Sequence, residues 1–130
     1  MISRRCLLVL AAAGGVALAL PAHAAELADY TPSAFDAALA AGKPILVWIH
    51  ASWCPTCKAQ APTLAKIEAE PQYKGLMVFR VDFDSQKDAV KRFGARMQST
   101  LITFRDGRET GRSVGDTDPA SIAALVAKAG

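Results

Sequence analysis

The sequence predicts one small α/β domain, in which helices cover both faces of a central sheet. Two observations predict this fold class. Residues 45–49 are continuously apolar and partly β-branched, which is typical of a central strand buried on both faces. Helical and strand patterns also alternate at short spacing along the chain, with no repeats and no Ser/Gly-rich linker. Residues 25–130 suffice for a single core, so no second domain is expected.

The N-terminal segment, residues 1–24, has the three parts of a secretory signal peptide. They are a positive start (Arg4, Arg5), an uncharged apolar run (residues 6–20) and an A-x-A cleavage signal (residues 22–24). The apolar run is shorter than the ~20 residues that span a bilayer. We therefore expect cleavage after Ala24 and a periplasmic domain at residues 25–130. The paired arginines fit either the twin-arginine or the ordinary export route.

The basic character of the sequence lies largely in this segment. Removing residues 1–24 lowers the formal net charge from +3 to +1. A charge this close to zero does not indicate a nucleic-acid partner. We expect a monomeric domain.

The first predicted helix has clear signals at both ends. A short strand near residues 26–30 precedes it. Thr31 is suited to cap the helix, Pro32 lies in its first turn, and Gly42 follows its end at Ala41. These signals place the helix before the apolar strand.

A loop at residues 52–57 connects the strand at residues 45–49 to a second helix. Leu64 and Ile67 mark the buried side of this helix, and Pro71 closes it.

Residues 76–83 predict the next buried strand. Ser85 is predicted to begin a third helix, with Asp88 in the position of a capping-box acid. Its buried face carries apolar residues at helical spacing: Val90, Phe93 and Met97.

A hairpin and a helix complete the predicted domain. Residues 100–104 and the polar residues 109–114 flank an Asp106-Gly107 turn, and the polar strand is suited to a sheet edge. Asp118-Pro119 is suited to begin the last helix. The buried stripe of that helix is Ile122, Leu125, Val126 and Ala129.

Two cysteines stay in the mature domain, Cys54 and Cys57, because Cys6 leaves with the signal peptide. A disulfide between them would close too short a loop to stabilise the fold much. A zinc site needs two further Cys or His ligands, and His50 is the one histidine outside the signal peptide. In an exported protein a redox role is therefore the stronger interpretation.

This cysteine pair lies where a strand ends and a helix begins. Unpaired N–H groups and the helix dipole favour negative charge there, and thiolate is the form that attacks a disulfide. We predict that Cys54 is the nucleophile and that Cys57, one turn later, resolves the mixed disulfide. The predicted neighbours in the site are Trp53, Pro55 and Thr56.

Over essentially all of residues 25–130, the sequence resembles the thioredoxin family. The resemblance rests on Pro44-Ile45-Leu46-Val47, Trp53-Cys54-Pro55-Thr56-Cys57-Lys58, Pro62, Val81 with Asp84, Thr100-Leu101-Ile102-Thr103-Phe104, Asp106-Gly107 and Gly115. It implies a thioredoxin-like fold, with a central mixed sheet of four or five strands flanked by helices. It also implies disulfide reduction or exchange on protein substrates without an organic cofactor. Trp53 would shield the cysteines, and Pro62 would kink their helix.

Three positions depart from the family pattern. The dipeptide between the cysteines is Pro55-Thr56, which leaves the redox direction open. Trp48 replaces a buried aspartate. Ser99 replaces a cis-proline, and we expect a trans Gln98–Ser99 bond because a non-proline cis bond costs ~2.5–4 kcal/mol. The smaller serine, whose hydroxyl could bond a cysteine sulfur, is expected to leave Cys54 more open.

His50 allows two interpretations. It is either a half-exposed residue at a strand end or a group that handles the proton of Cys57 in place of the missing aspartate. The second interpretation depends on its titration near neutral pH and its position four residues before Cys54.

The leading functional interpretation is an enzyme that exchanges disulfides with exported proteins. Acting as a reductant, it would need electrons from a membrane-linked partner. The alternative is a binding module in which Cys54 and Cys57 hold a soft metal such as Cu(I), or a metal shared between two chains. No further Cys or Met cluster near the pair supports that alternative, so no metal is expected.

Overall fold

The structure is a computed structural model that describes Gly15 and residues 25–130. Within these residues the strands are β1 (Ala25–Asp29), β2 (Ile45–His50), β3 (Leu76–Asp82), β4 (Thr100–Arg105) and β5 (Arg108–Val114). The helices are α1 (Pro32–Ala40), α2 (Pro55–Glu68), α3 (Lys87–Arg92) and α4 (Pro119–Val126), with a 3-10 turn at Pro71–Tyr73. The predicted signal peptide lies outside the described residues, apart from Gly15.

The five strands form one mixed sheet in the order β1-β3-β2-β4-β5. β3 pairs in parallel with β1 and with β2. β4 pairs antiparallel with β2 and with β5. The sheet and its flanking helices confirm the predicted fold class. β2 lies at the centre, so the loop at its carboxyl end is held from both sides.

Helices cover both faces of the sheet, which explains why β2 is apolar at every position up to Ile49. On one face, side chains from α2 and α4 pack with Leu46 and Trp48, and both cysteines belong to this cluster. On the other face, α1 and α3 pack against an aromatic group comprising Tyr30, Phe35, Phe79, Phe93 and Phe104. Within the described chain, no helix has both the length and the apolar character needed to cross a membrane.

The predicted caps of the first and last helices and the hairpin turn are confirmed. The side chain of Thr31 accepts the N–H of Ala34 at 3.2 Å, at the start of α1. Asp118 caps α4 in the same manner. Asp106 and Gly107 have φ of 51° and 79°, and two consecutive positive values are those of a type I′ hairpin turn.

The third helix differs from its prediction at both ends. It begins at Lys87, and the Asp82 carboxylate accepts the N–H groups of Asp84 and Ser85. The predicted capping box at Ser85 and Asp88 is therefore wrong, because the Asp82 carboxylate takes the Ser85 N–H that Asp88 would accept, and Gln86 at the N-cap makes no side-chain cap bond. α3 also ends early, before Gly94 at φ 62°. Met97 consequently lies outside the helix and is 51% exposed, so its predicted burial is wrong as well.

Candidate active site

The turn between β2 and α2 places Cys54 at the N-cap of the cysteine helix. The N–H of Cys54 donates to the carbonyl of Ala51 at 3.2 Å, and Pro55 occupies the first turn, where no N–H is needed. The Cys54 sulfur accepts the N–H of Cys57 at 3.1 Å. A donor that the helix leaves unpaired thus points at this sulfur.

Both cysteines are free thiols on the inner side of this turn, and Cys54 is only 1% exposed. Burial raises the pKa of Cys57 to about 11, and the hydrogen bond of its thiol to Cys54 acts in the same direction. The backbones of Ala51 and Ser99 partly offset this increase. Cys57 therefore stays protonated at neutral pH, and the sulfur of Cys54 accepts the hydrogen bond of its thiol. The geometry suits the predicted order of nucleophile and resolving thiol.

The raised pKa of Cys57 leads to an expected pH dependence of stability. Folding favours the protonated thiol, so this contribution is fully present below about pH 9 and is lost as the pH rises through about 11. Urea unfolding of the reduced protein, measured across this range, is expected to show that decline. Cys57→Ala is the matched control and should show much less of it. Identical pH profiles for the parent and Cys57→Ala would contradict the expectation.

Three predicted neighbours lie around the outer rim of the turn. Trp53 is 55% exposed, and its ring N–H donates to Asp84 at 2.6 Å. Pro55 is exposed and Thr56 is half-buried. The hydrogen bond to Asp84 fixes the exposed indole of the residue that precedes the nucleophile.

The loop before β4 brings Ser99 to the inner side of the site. The Gln98–Ser99 bond is trans, as expected, and Ser99 adopts a positive φ of 60°. Its N–H donates to the carbonyl of Ile49 at 2.7 Å, and its carbonyl accepts the N–H of Gly115 at 3.1 Å. Its backbone also lowers the pKa of Cys57. These bonds hold the loop across the carboxyl end of β2.

The side chain of Ser99 behaves differently from the prediction. Its hydroxyl donates to the carbonyl of half-buried Gln98, so the suggested bond to a cysteine sulfur is absent. Cys54 is 1% exposed, so the small side chain of Ser99 does not leave its sulfur open to solvent. That Cys54 is more open than in the wider family stays a prediction.

Gln60 is a residue of this site that the sequence analysis missed. It is completely buried, and its amide contacts three separate segments. The amide donates to the carbonyls of Ser99 (3.1 Å) and Asp116 (2.9 Å) and accepts the indole N–H of Trp48 at 3.0 Å. One signal could have revealed it: Gln60 follows Cys57 by one turn, on the same helix face as Leu64.

His50 faces a polar pocket at the end of β2. Its ring packs edge-on against Trp48, with 4.6 Å between ring centroids. Burial lowers its pKa, and Arg80 adds to this, whereas Asp82 acts in the opposite direction. The groups that act on the pKa of Cys57 are Cys54, Ala51 and Ser99, and His50 is not among them. Proton handling by His50 stays a prediction.

The metal-binding alternative finds no additional ligands in the described part of the chain. No group of three or more His, Cys, Asp or Glu residues comes together within it.

Comparison with known proteins adds a family assignment to this geometry. The family model described as Thioredoxin matches residues 26–128. Thioredoxin from Chlamydia muridarum is 37% identical over 84 residues, which cover 65% of this chain and 80% of that protein. Thioredoxin-1 from Saccharomyces cerevisiae is 33% identical over 97 residues, covering 75% and 91%. The crystal structure of Trxlp from Edwardsiella tarda is similar with a TM-score of 0.76 and 42% identity, over 78% of this chain and 98% of that one.

Proposed function

This chain belongs to the thioredoxin family and is a thiol–disulfide oxidoreductase, and from this premise we propose that it exchanges disulfides with exported proteins in the periplasm. The observation that carries the chemistry is the Cys54 sulfur at the helix N-terminus. It accepts one backbone N–H there, and the protonated thiol of Cys57 lies against it. One cysteine is thus ready to attack, while the other keeps its proton until the second step.

The reaction proceeds in two exchanges of sulfur. The Cys54 thiolate attacks a substrate disulfide, the substrate S–S bond breaks, and the leaving substrate sulfur takes up a proton. Cys57 then gives up its proton and attacks the sulfur of Cys54. The mixed disulfide breaks, and the second substrate sulfur takes up a proton. The substrate gains two electrons and two protons, and Cys54 and Cys57 become a disulfide; the reverse sequence oxidises a dithiol.

Export is supported by the three-part segment at residues 1–24. The compartment that export leads to determines which proteins the enzyme can meet. If the protein reduces substrate disulfides in an oxidising compartment, its own disulfide must be reduced again after each turnover. For that direction we propose a membrane-linked redox partner that supplies the electrons. The domain is proposed to act as a monomer. Equilibration with glutathione would give the reduction potential and therefore the direction of the reaction.

The proposal of export predicts a definite N-terminus. We expect the protein from the native envelope fraction to begin at or near Ala25, because the A-x-A signal ends at Ala24. Intact-mass spectrometry of that fraction measures the start directly. A His23→Glu, Ala24→Glu double variant is the control and should accumulate with the segment uncleaved. A full-length protein confined to the cytoplasm would contradict the proposal and remove the exported substrates with it.

A further inference from the structure

Gln60 is a fully buried polar side chain whose two N–H donors and amide oxygen are all hydrogen-bonded. The partners determine its orientation, because an indole N–H can only donate and a carbonyl can only accept. The amide oxygen therefore faces Trp48 on β2, and the amide nitrogen faces Ser99 and Asp116. A polar side chain on the apolar face of a helix is costly to bury unless its polar atoms are hydrogen-bonded.

The three partners lie on the segments that surround Cys57. Trp48 belongs to the central strand, Ser99 to the loop before β4, and Asp116 to the segment after β5. Gln60 itself lies one helical turn beyond Cys57 on α2. The side chain thus connects the cysteine helix to three backbone segments, and it does so next to the resolving thiol rather than at the exposed rim.

The contact with Ser99 links this network to the chemistry. Ser99 has an unfavourable positive φ, and its carbonyl accepts from both Gln60 and Gly115. The backbone of Ser99 also lowers the pKa of Cys57, against the effects of burial and of Cys54. If the amide donors of Gln60 are removed, one of the bonds that keep this backbone in place is lost.

We propose that Gln60 is a positioning residue for disulfide exchange, which fixes the cysteine helix, one turn beyond Cys57, to the Ser99 loop and thereby sets the rate at which Cys57 resolves a mixed disulfide. Its effect is confined to the second exchange. Cys54 attacks from the N-cap of α2, where its hydrogen bond comes from the N–H of Cys57 and does not involve Gln60.

Gln60→Met tests this role, because it keeps a side chain of similar length and removes both donors. With oxidised glutathione as the probe, rapid quenching separates formation of the mixed disulfide at Cys54 from its resolution by Cys57. We expect resolution at pH 7 to slow by about tenfold, the effect of one unit in the pKa of the resolving thiol. Attack by Cys54 should change by no more than about twofold. The pH profile of resolution should move to higher pH.

The control for lost stability is Thr103→Val. Thr103 is buried on β4, and its hydroxyl bonds Thr110 at 3.0 Å, so the variant also loses a buried hydrogen bond. It should leave both exchange rates unchanged. If Gln60→Met does not fold, Gln60→Asn keeps the amide but is one methylene shorter, and it should slow resolution in the same selective manner. Unchanged resolution, or an equal slowing of both steps, would overturn the proposal and leave Gln60 with a structural role alone.

Discussion

Replacing Cys54 with serine is expected to lower disulfide exchange by about 10³-fold or more, because a serine hydroxyl stays protonated and is a poor nucleophile towards sulfur. Serine still fits the N-cap and can accept the N–H that the Cys54 sulfur now accepts at 3.1 Å. The fold should therefore survive, and the loss should be chemical. Turnover of a protein disulfide at pH 7, followed alongside urea unfolding, measures both quantities.

The matched variant is Cys57→Ser, which keeps the nucleophile and removes the resolving thiol. It should still attack oxidised glutathione and then stop as a mixed disulfide at Cys54, which intact-mass analysis would detect. Slow and equal reaction of the two single variants would contradict the assigned order. The same outcome would also weaken the argument from the helix N-terminus.

Replacing Ser99 with proline is expected to destabilise the protein by roughly 3 kcal/mol or more. Proline has no N–H, so the 2.7 Å bond to the carbonyl of Ile49 would be lost. Proline also fixes φ near −65°, whereas Ser99 has φ 60°. The loop would have to move away from Cys57, so resolution should slow as well. Urea unfolding of the reduced protein measures the stability change.

Ser99→Gly separates the backbone effect from loss of the side chain. Glycine keeps the N–H and accepts a positive φ without steric cost, so its stability should stay within about 1 kcal/mol of the parent. A Ser99→Pro variant as stable as Ser99→Gly would show that the loop does not depend on this backbone geometry. That result would also remove the basis for treating Ser99 as a fixed point beside Cys57.

The site was predictable where it depends on neighbours in the sequence. The strand-to-helix junction, the cysteine pair and the cap at Thr31 each depend on residues a few positions apart, and periodicity and capping rules describe such local preferences. The hairpin at Asp106-Gly107 is predictable for the same reason, because its turn type needs two residues that accept positive φ. These features together also predicted the fold class.

What the sequence did not predict depends on long-range partners or on competition between similar groups. Gln60 bonds residues 39 and 56 positions away, and no local pattern connects them. Ser85 was an acceptable start of a capping box, but its N–H, which Asp88 would accept there, is bonded by Asp82 instead. Met97 continued the apolar periodicity of α3, yet Gly94 had already ended the helix, and spacing alone does not show where a helix stops.

The position of β1 at the edge of the sheet has a consequence for local opening of the fold. β1 contacts the sheet through β3 alone, pairing Ala25 with Leu76 across much of the chain, and its Leu27 is 47% exposed. The β4–β5 hairpin, by contrast, closes across a two-residue turn. β1 is therefore held on one side only and by no adjacent turn. We expect it to be the first strand to open, with amide protons less protected from exchange with solvent than those of the inner strands.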